Sequence, residues 1–179
     1  MDRILIVGNL LKIGGAEKLI FELTTFCRKN NVKPTILILD NFQTEHYDSI
    51  YNSLNIKVVR TRIGEIKNFR APMRMIKSLY WKLLLRYFAN FFYKSIHVIG
   101  LYNAEKVNEN IAHNHRFFWH VNNRVQFSDQ ILPYNDRLFG NAKDTIVCIN
   151  KYQIEEIANQ YQGIPLFSNI ILFKLFVNG

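Results

Sequence analysis

Two adjacent glycines mark the segment of this chain best suited to hold a ligand. Gly14 and Gly15 close the run Gly8-Asn-Leu-Leu-Lys-Ile-Gly-Gly-Ala-Glu17, directly after the apolar stretch Arg3–Val7. A helix that starts at such a pair leaves its first N–H groups without intrahelical acceptors. Without Cβ atoms in the way, an anion can come close to them. Phosphate binding is one reading of the pair, and a plain tight turn is the other. The spacing is not G-x-G-x-x-G, and no Gly-Lys-Ser/Thr follows, so neither the dinucleotide fingerprint nor a Walker loop is present. Glu17 falls in the first turn of the expected helix, where a negative charge is favourable, and reads as a helix-start residue. Further along, His113, His115 and His120 lack a closing ligand set, so no metal is expected. His120 follows Phe117-Phe118-Trp119 and is either a core histidine bonded to backbone or a site residue at a strand end. No carboxylate pair has the placement that glycoside hydrolysis needs.

These residues must be positioned by alternating strands and helices. Arg3–Gly8 and Thr35–Leu39 are short apolar, β-branched runs, the pattern of strands buried on both faces. Between them Leu19, Ile20, Leu23 and Phe26 repeat at helical spacing from Ala16 to about Asn30, which makes a βαβ unit. The alternation predicts helices over Glu45–Leu54, Pro72–Lys94, Ala104–Ala112, Tyr134–Asn141 and Lys151–Tyr161. It predicts strands over Ile56–Arg60, Ile96–Ile99, Phe117–Val121, Thr145–Ile149 and Ile170–Val177. The expected fold is one α/β domain over residues 1–179: a doubly wound, mostly parallel, Rossmann-like sheet. Ligands of such sheets bind beyond the carboxyl ends of the strands. That draws Lys12, Asn103 and Asn122, each after a predicted strand, into the set of candidate contacts.

A chain of 179 residues with 49% apolar residues can build one real core and not two full domains. No run of about 18 uncharged apolar residues exists, and Met-Asp-Arg-Ile-Leu-Ile-Val does not resemble a signal peptide. Cys27 and Cys148 lie in separate apolar runs and read as buried free thiols of a cytoplasmic protein. The net charge of +9 calls for an anionic partner: nucleic acid, a phosphorylated small molecule or an acidic membrane. No helix-turn-helix, RRM, KH or zinc pattern is present, so nucleic acid is not expected.

Residues 70–94 carry six Lys or Arg, and no acidic residue occurs between Glu65 and Glu105. At 100° per residue Met73, Ile76, Tyr80, Leu83, Leu84, Tyr87 and Phe91 share one side of a helix, with Trp81 and Leu85 towards its edge. Two readings stand. The apolar side covers the sheet with the cations in water, or the segment lies on an anionic membrane surface.

The Ile-Gly-Gly-Ala-Glu stretch after a first hydrophobic strand resembles the N-terminal, acceptor-side domain of GT-B glycosyltransferases of family GT4, and the order of elements is similar across nearly the whole chain. His120 at a strand end resembles that family's active-site histidine. Val147-Cys-Ile-Asn150 before a helix resembles its strand and capping polar residue, usually Ser. Phe176-Val-Asn-Gly179 resembles the Asn-Gly at which the chain crosses to a second domain. The resemblance implies sugar transfer from a nucleotide-sugar to a hydroxyl of a glycan or lipid-linked acceptor, with retention, in cell-surface glycan or polysaccharide biosynthesis. It implies no cofactor besides the nucleotide-sugar substrate. Gly14 and Gly15 would lie against the donor diphosphate and sugar, His120 would orient the transferred sugar, and Lys12, Asn103 and Asn122 would meet the acceptor. The family's C-terminal nucleotide-binding half, with its Glu-(x7)-Glu signature, is absent from these residues. A second domain or a partner chain is therefore expected, with the protein cytoplasmic, at the inner face of a membrane. The alternative is a non-catalytic half-transferase module that binds acceptor, partner or membrane.

Overall fold

The computed structural model describes residues 1–39, 43–61, 70–100, 104, 107–108, 111–121, 142–162 and 169–174, apart from the side chains of Trp81 and Phe88. Its strands are β1 (Arg3–Gly8), β2 (Lys33–Ile38), β3 (Lys57–Arg60), β4 (Ser95–Ile99), β5 (Arg116–His120), β6 (Asp144–Cys148) and β7 (Asn169–Leu172). The helices are α1 (Gly15–Lys29), α2 (His46–Ser53), α3 (Ala71–Phe92) and α4 (Lys151–Gln160). The strands form one sheet in the order β3-β2-β1-β4-β5-β6-β7, and all six pairings are parallel.

The order places the topological switch between β1 and β4. The chain winds outward from β1 to β3, then returns to start β4 on the other side of β1. After β1 the chain packs α1 on one face of the sheet, and after β4 Ala104 and Val107 pack on the other, the arrangement that opens a crevice beyond the carboxyl ends of these strands.

Strand parity divides the core into two layers. Ile4, Ile6, Ile36, Ile38, Ile99, Trp119 and Val147 face α1 and α2, packing on Leu19, Ile20, Leu23 and Tyr51. Leu5, Val7, Leu37, Val98, Phe118, Ile146 and Cys148 face α3 and α4, packing on Leu85, Ala89, Tyr93 and Ile157. β1 and β2 are buried on both faces along most of their length and read as near-continuous apolar runs. Both cysteines are buried free thiols, and burial pushes each up to about 11. At the amino edge Arg116 clasps Asp144 with two bonds, Nε to Oδ1 at 2.8 Å and Nη2 to Oδ2 at 2.6 Å, and this buried pair ties β5 to β6.

Several predicted elements are corrected at their ends. Ala104, Val107 and Asn108 are helical, but Ile111 and Ala112 are not. The last strand stops at Leu172, so Phe173 and Lys174 lie beyond it. The predicted helix Tyr134–Asn141 lies outside the described residues.

The larger correction concerns α3. Its apolar stripe does not cover the sheet: Ile76, Leu83, Tyr87 and Phe91 are 58–73% exposed, whereas Leu85 and Ala89 are buried at 3% and 1%. Leu85 therefore marks the middle of the packed side and not the edge of an apolar arc. The reason is steric and dimensional. The small Ala89 lets the helix approach the sheet closely. Twenty-two helical residues also extend ~33 Å, against at most ~20 Å for strands of four to six residues. Only the part of α3 near its C-terminus lies over strands.

Candidate functional site

The loop between β1 and α1 reaches the switch crevice, and the chain around it is held firmly. Leu11 is fully buried, and its N–H donates to Glu45 Oε2 at 2.6 Å while its carbonyl accepts from the Tyr47 N–H at 3.0 Å. Glu45 caps α2, where its own N–H donates to Asp48 Oδ2 at 2.7 Å. Arg60, on β3, pairs with both carboxylates, lying 3.5 Å from Glu45 and hydrogen-bonded to Asp48. This cluster positions the glycine turn, and sequence reasoning missed it. Its signal was the Glu45-x-x-Asp48 spacing just before a helix, a variant of the capping box.

Beyond that anchor Lys12 and Ile13 are exposed, and Gly14 caps α1 in an extended conformation open to any residue. No side chain caps the helix at Gly14. The first intrahelical bond at this end is Lys18 N–H to the Gly14 carbonyl, at 2.9 Å, so the amides before Lys18 point out of the helix end. Among the described residues a Cβ on Gly15 would meet nothing within 4 Å; one on Gly14 would lie 2.3 Å from Glu17 Oε2. The Glu17 carboxylate thus rests over Gly14 as a first-turn anion, as its sequence position implied. Nothing in its backbone conformation or in its packing among the described residues requires Gly15 to be glycine.

The other wall of the crevice starts at Gly100, after β4. Its φ of +82° is a left-handed conformation that favours glycine, and its N–H donates to the Trp119 carbonyl at 3.2 Å. This residue was also missed, although an apolar strand ending in Gly occurs in both β1 and β4. Asn103 and Asn122 lie outside the described residues.

His120 ends β5 and, by register, stands level with Gly100 at the carboxyl edge. Its side chain has no exposed surface, and Nε2 lies 3.8 Å from Glu156 Oε2 on α4. Burial lowers its pKa and Glu156 opposes the shift, leaving a neutral imidazole at physiological pH. Strand parity turns this ring towards α3 and α4, whereas α1 packs on the opposite face. The structure therefore sets His120 and the glycine turn at one edge of the sheet, β1 and β5 being ~10 Å apart. It does not bring the imidazole to the turn. Asn150 caps α4 as its position implied: Oδ1 accepts from the Gln153 N–H at 3.1 Å, and Gln153 Oε1 accepts from the Ile149 N–H at 2.7 Å. His113 is engaged by backbone, with Nδ1 accepting from the His115 N–H at 3.0 Å and Nε2 3.0 Å from the Tyr93 carbonyl.

No protein-family model matches the chain, and no curated protein matches its sequence. Solved structures do match its fold. Arabidopsis thaliana UGT89C1 complexed with UDP-L-rhamnose is 9% identical at a TM-score of 0.52, over 99% of this chain and 52% of that one. The same protein complexed with UDP is 11% identical at a TM-score of 0.54, over 99% of this chain and 50% of that one. This chain carries the Rossmann-like sheet of one half of a GT-B fold. It spans about half the length of the structures it matches. At such low identity the likeness is one of fold, and residue roles rest on this chain's own geometry.

Proposed function

We propose that the chain is the acceptor-side half of a retaining GT4-type glycosyltransferase, which moves a sugar from a nucleotide-sugar to a hydroxyl of a glycan or lipid-linked acceptor. The cellular setting of this reading is cell-surface glycan or polysaccharide synthesis at the cytoplasmic face of a membrane. The observation that carries it is Gly15: a helix N-terminus at the switch crevice whose first residue is a glycine that no described residue covers within 4 Å. In the reaction the bond from C1 to the diphosphate oxygen breaks and the electron pair leaves with the diphosphate. The acceptor oxygen bonds to C1 and gives its proton to the departing diphosphate oxygen. Charge grows on the diphosphate, and the outward amides of α1 with the helix dipole favour charge there. Lys12 lies on the same loop, free to meet the acceptor or a phosphate oxygen. His120 is assigned to orienting the transferred sugar as a neutral hydrogen-bond donor, which requires its enclosed ring to gain access to the ligand. Most nucleotide contacts fall to a second half, a further domain or partner chain, so nucleotide affinity of these residues alone is weak.

Amide-resolved NMR of this chain with millimolar UDP, GDP and ADP tests the reading. Shifts centred on Gly14 to Glu17 support it, and unmoved amides there with all three nucleotides overturn it. The enclosure of His120 favours one competitor, a non-catalytic half-transferase module. With the second half present, His120→Gln separates the two: a fall in kcat of about 100-fold or more at unchanged melting temperature belongs to the transferase. The module predicts no transfer in either protein.

A further inference from the structure

At the amino edge of the sheet, across from the glycine turn, Arg3, Lys33 and Lys57 converge on a cavity of about 710 Å³. Strand register places them there. Arg3 stands opposite Lys33, and Lys57 stands opposite Thr35, so all three cations share the face that carries Leu5, Leu37 and Val59. Neighbouring strands lie only ~4.8 Å apart, and like charges at such a spacing repel. Among the described residues no carboxylate lines the cavity. The carboxylate of Asp2, next in the chain to Arg3, lies instead 2.6 Å from Lys94 Nζ and forms none of the wall. Thr35 and Tyr93, both buried, supply hydroxyls to the lining. Burial raises the pKa of the Tyr93 phenol, while a hydrogen bond from Thr35 and the charge of Arg3 oppose the rise, so these three groups are close neighbours. Phe92, the last residue of α3, gives the cavity an aromatic border.

Cations that meet at one concave spot suit a compact, multiply charged anion. A nucleic acid strand draws instead on cations strung along its backbone. A phosphate monoester has a charge of about −1.5 to −2 at pH 7 and three acceptor oxygens, which ammonium, guanidinium and hydroxyl donors can satisfy together. The cavity is far larger than a bare phosphate fills and falls in the range of about 300–1,000 Å³ usual for small-molecule sites. Phe92 offers the organic part of such a ligand an apolar wall. Cations can also serve the carbonyls that end α3, whose last turn holds no basic residue. That use needs neither three cations nor an open cavity between them.

We propose that the Arg3–Lys33–Lys57 cavity is a second ligand site, which binds a small phosphate monoester with its phosphate on the three cations and its organic group against Phe92. The site is independent of the sugar-transfer reading and lies at the other edge of the sheet. Amide-resolved NMR with phenyl phosphate as the probe tests it. Saturable shifts should centre on Lys33, Lys57 and Tyr93 and weaken as salt rises. Inorganic phosphate, which leaves Phe92 unused, should bind the same amides about threefold or more weaker. Methyl phenyl phosphate, a singly charged diester, should bind about tenfold weaker. Arg3→Gln/Lys33→Gln should cost phenyl phosphate about tenfold or more in affinity. Lys18→Gln/Lys151→Gln removes the same charge at the carboxyl edge and should alter affinity by no more than about twofold. All four positions are exposed, and thermal melts confirm that each variant folds. Phenyl phosphate should raise the melting temperature of the parent and leave that of Arg3→Gln/Lys33→Gln unchanged. Absence of saturable shifts, equal affinity for the diester, or equal loss in the carboxyl-edge pair overturns the proposal. So does a lower melting temperature in Arg3→Gln/Lys33→Gln with no effect of phenyl phosphate on the parent, which assigns the cations to the end of α3. Binding confined to phosphatidic acid in vesicles, with no soluble monoester bound, overturns it as well.

Discussion

Replacing Gly15 by alanine separates stability from function. Gly15 is the first residue of α1, its backbone is not left-handed, and a Cβ there meets nothing within 4 Å among the described residues. Alanine therefore introduces no clash. It also lowers the conformational entropy of the unfolded chain and raises helix propensity, together worth about 0.4–1 kcal/mol of added stability. For a chain of this size that is a rise in melting temperature of about 1–4 °C. Gly8 supplies the opposite control, because a Cβ there lies 2.7 Å from Ile20 Cδ1 and 3.3 Å from Ile38 Cδ1 within the core. Gly8→Ala should cost about 1–3 kcal/mol through overpacking. The assay pairs thermal and urea denaturation with UDP titration followed at the amides of Gly14 to Glu17. Gly15→Ala should melt higher while its response to UDP falls by about tenfold, as the methyl group stands where the diphosphate would approach. A variant that gains stability and responds to UDP like the parent refutes the reasoning, since the glycine would then serve no ligand. A loss of more than about 1 kcal/mol refutes the geometry instead.

Three further outcomes follow from buried charge. Glu45→Ala strands the Leu11 N–H and removes one of the two carboxylates facing Arg60, so urea unfolding should register a loss of about 2–4 kcal/mol. A loss below about 0.5 kcal/mol would show that the glycine turn is not anchored there. Asp144→Ala leaves the guanidinium of Arg116 buried without its counter-charge, and the same measurement should give about 3–5 kcal/mol. His97 stacks on Phe117 with ring centroids 4.8 Å apart, and its Nδ1 accepts from Trp119 Nε1–H at 3.2 Å, which suits a neutral ring. Burial lowers its pKa to about 4. The unfolded chain, at about 6.5, takes up the proton first. The contribution is therefore complete above pH ~6.5 and shrinks as pH falls towards 4, by about 2–3 kcal/mol in all. Unfolding free energies measured across that range should slope accordingly, and His97→Gln should flatten the slope.

The sheet was legible in the sequence because burial on both faces leaves a signal within a single strand: five of six residues in β1 and in β2 are buried, and their centres read Ile-Leu-Ile-Val and Ile-Leu-Ile. The cap at Asn150 was legible for a similar reason, since its partner Gln153 is three residues away. What failed to show was decided by distant partners. The direction of α3 depended on Ala89 allowing close approach, but the larger residues Tyr80, Tyr87 and Phe91 dominate any count of apolar periodicity. The clamp on Leu11 joins residues 34 apart, so no local pattern announces it. His120 was placed correctly at a strand end, while the side its ring faces followed from pairing with Cys148 and from α4 lying over that face.

The two ends of the sheet divide the work by the physics available at each. At the carboxyl edge β1 ends in a glycine, β4 runs into another, and the N-terminus of α1 presents outward amides: such a place suits one small anionic ligand held by geometry. At the amino edge Arg3 and Lys33 stand opposite each other on one face of the sheet, a concentration of positive charge. The seven-stranded sheet between them is rigid on the scale of either edge, so a change at one need not deform the other. Substitutions at Arg3 and Lys33 should therefore leave the UDP response of the Gly14 to Glu17 amides unchanged. A changed response would mean that the sheet transmits what this architecture gives it no means to transmit.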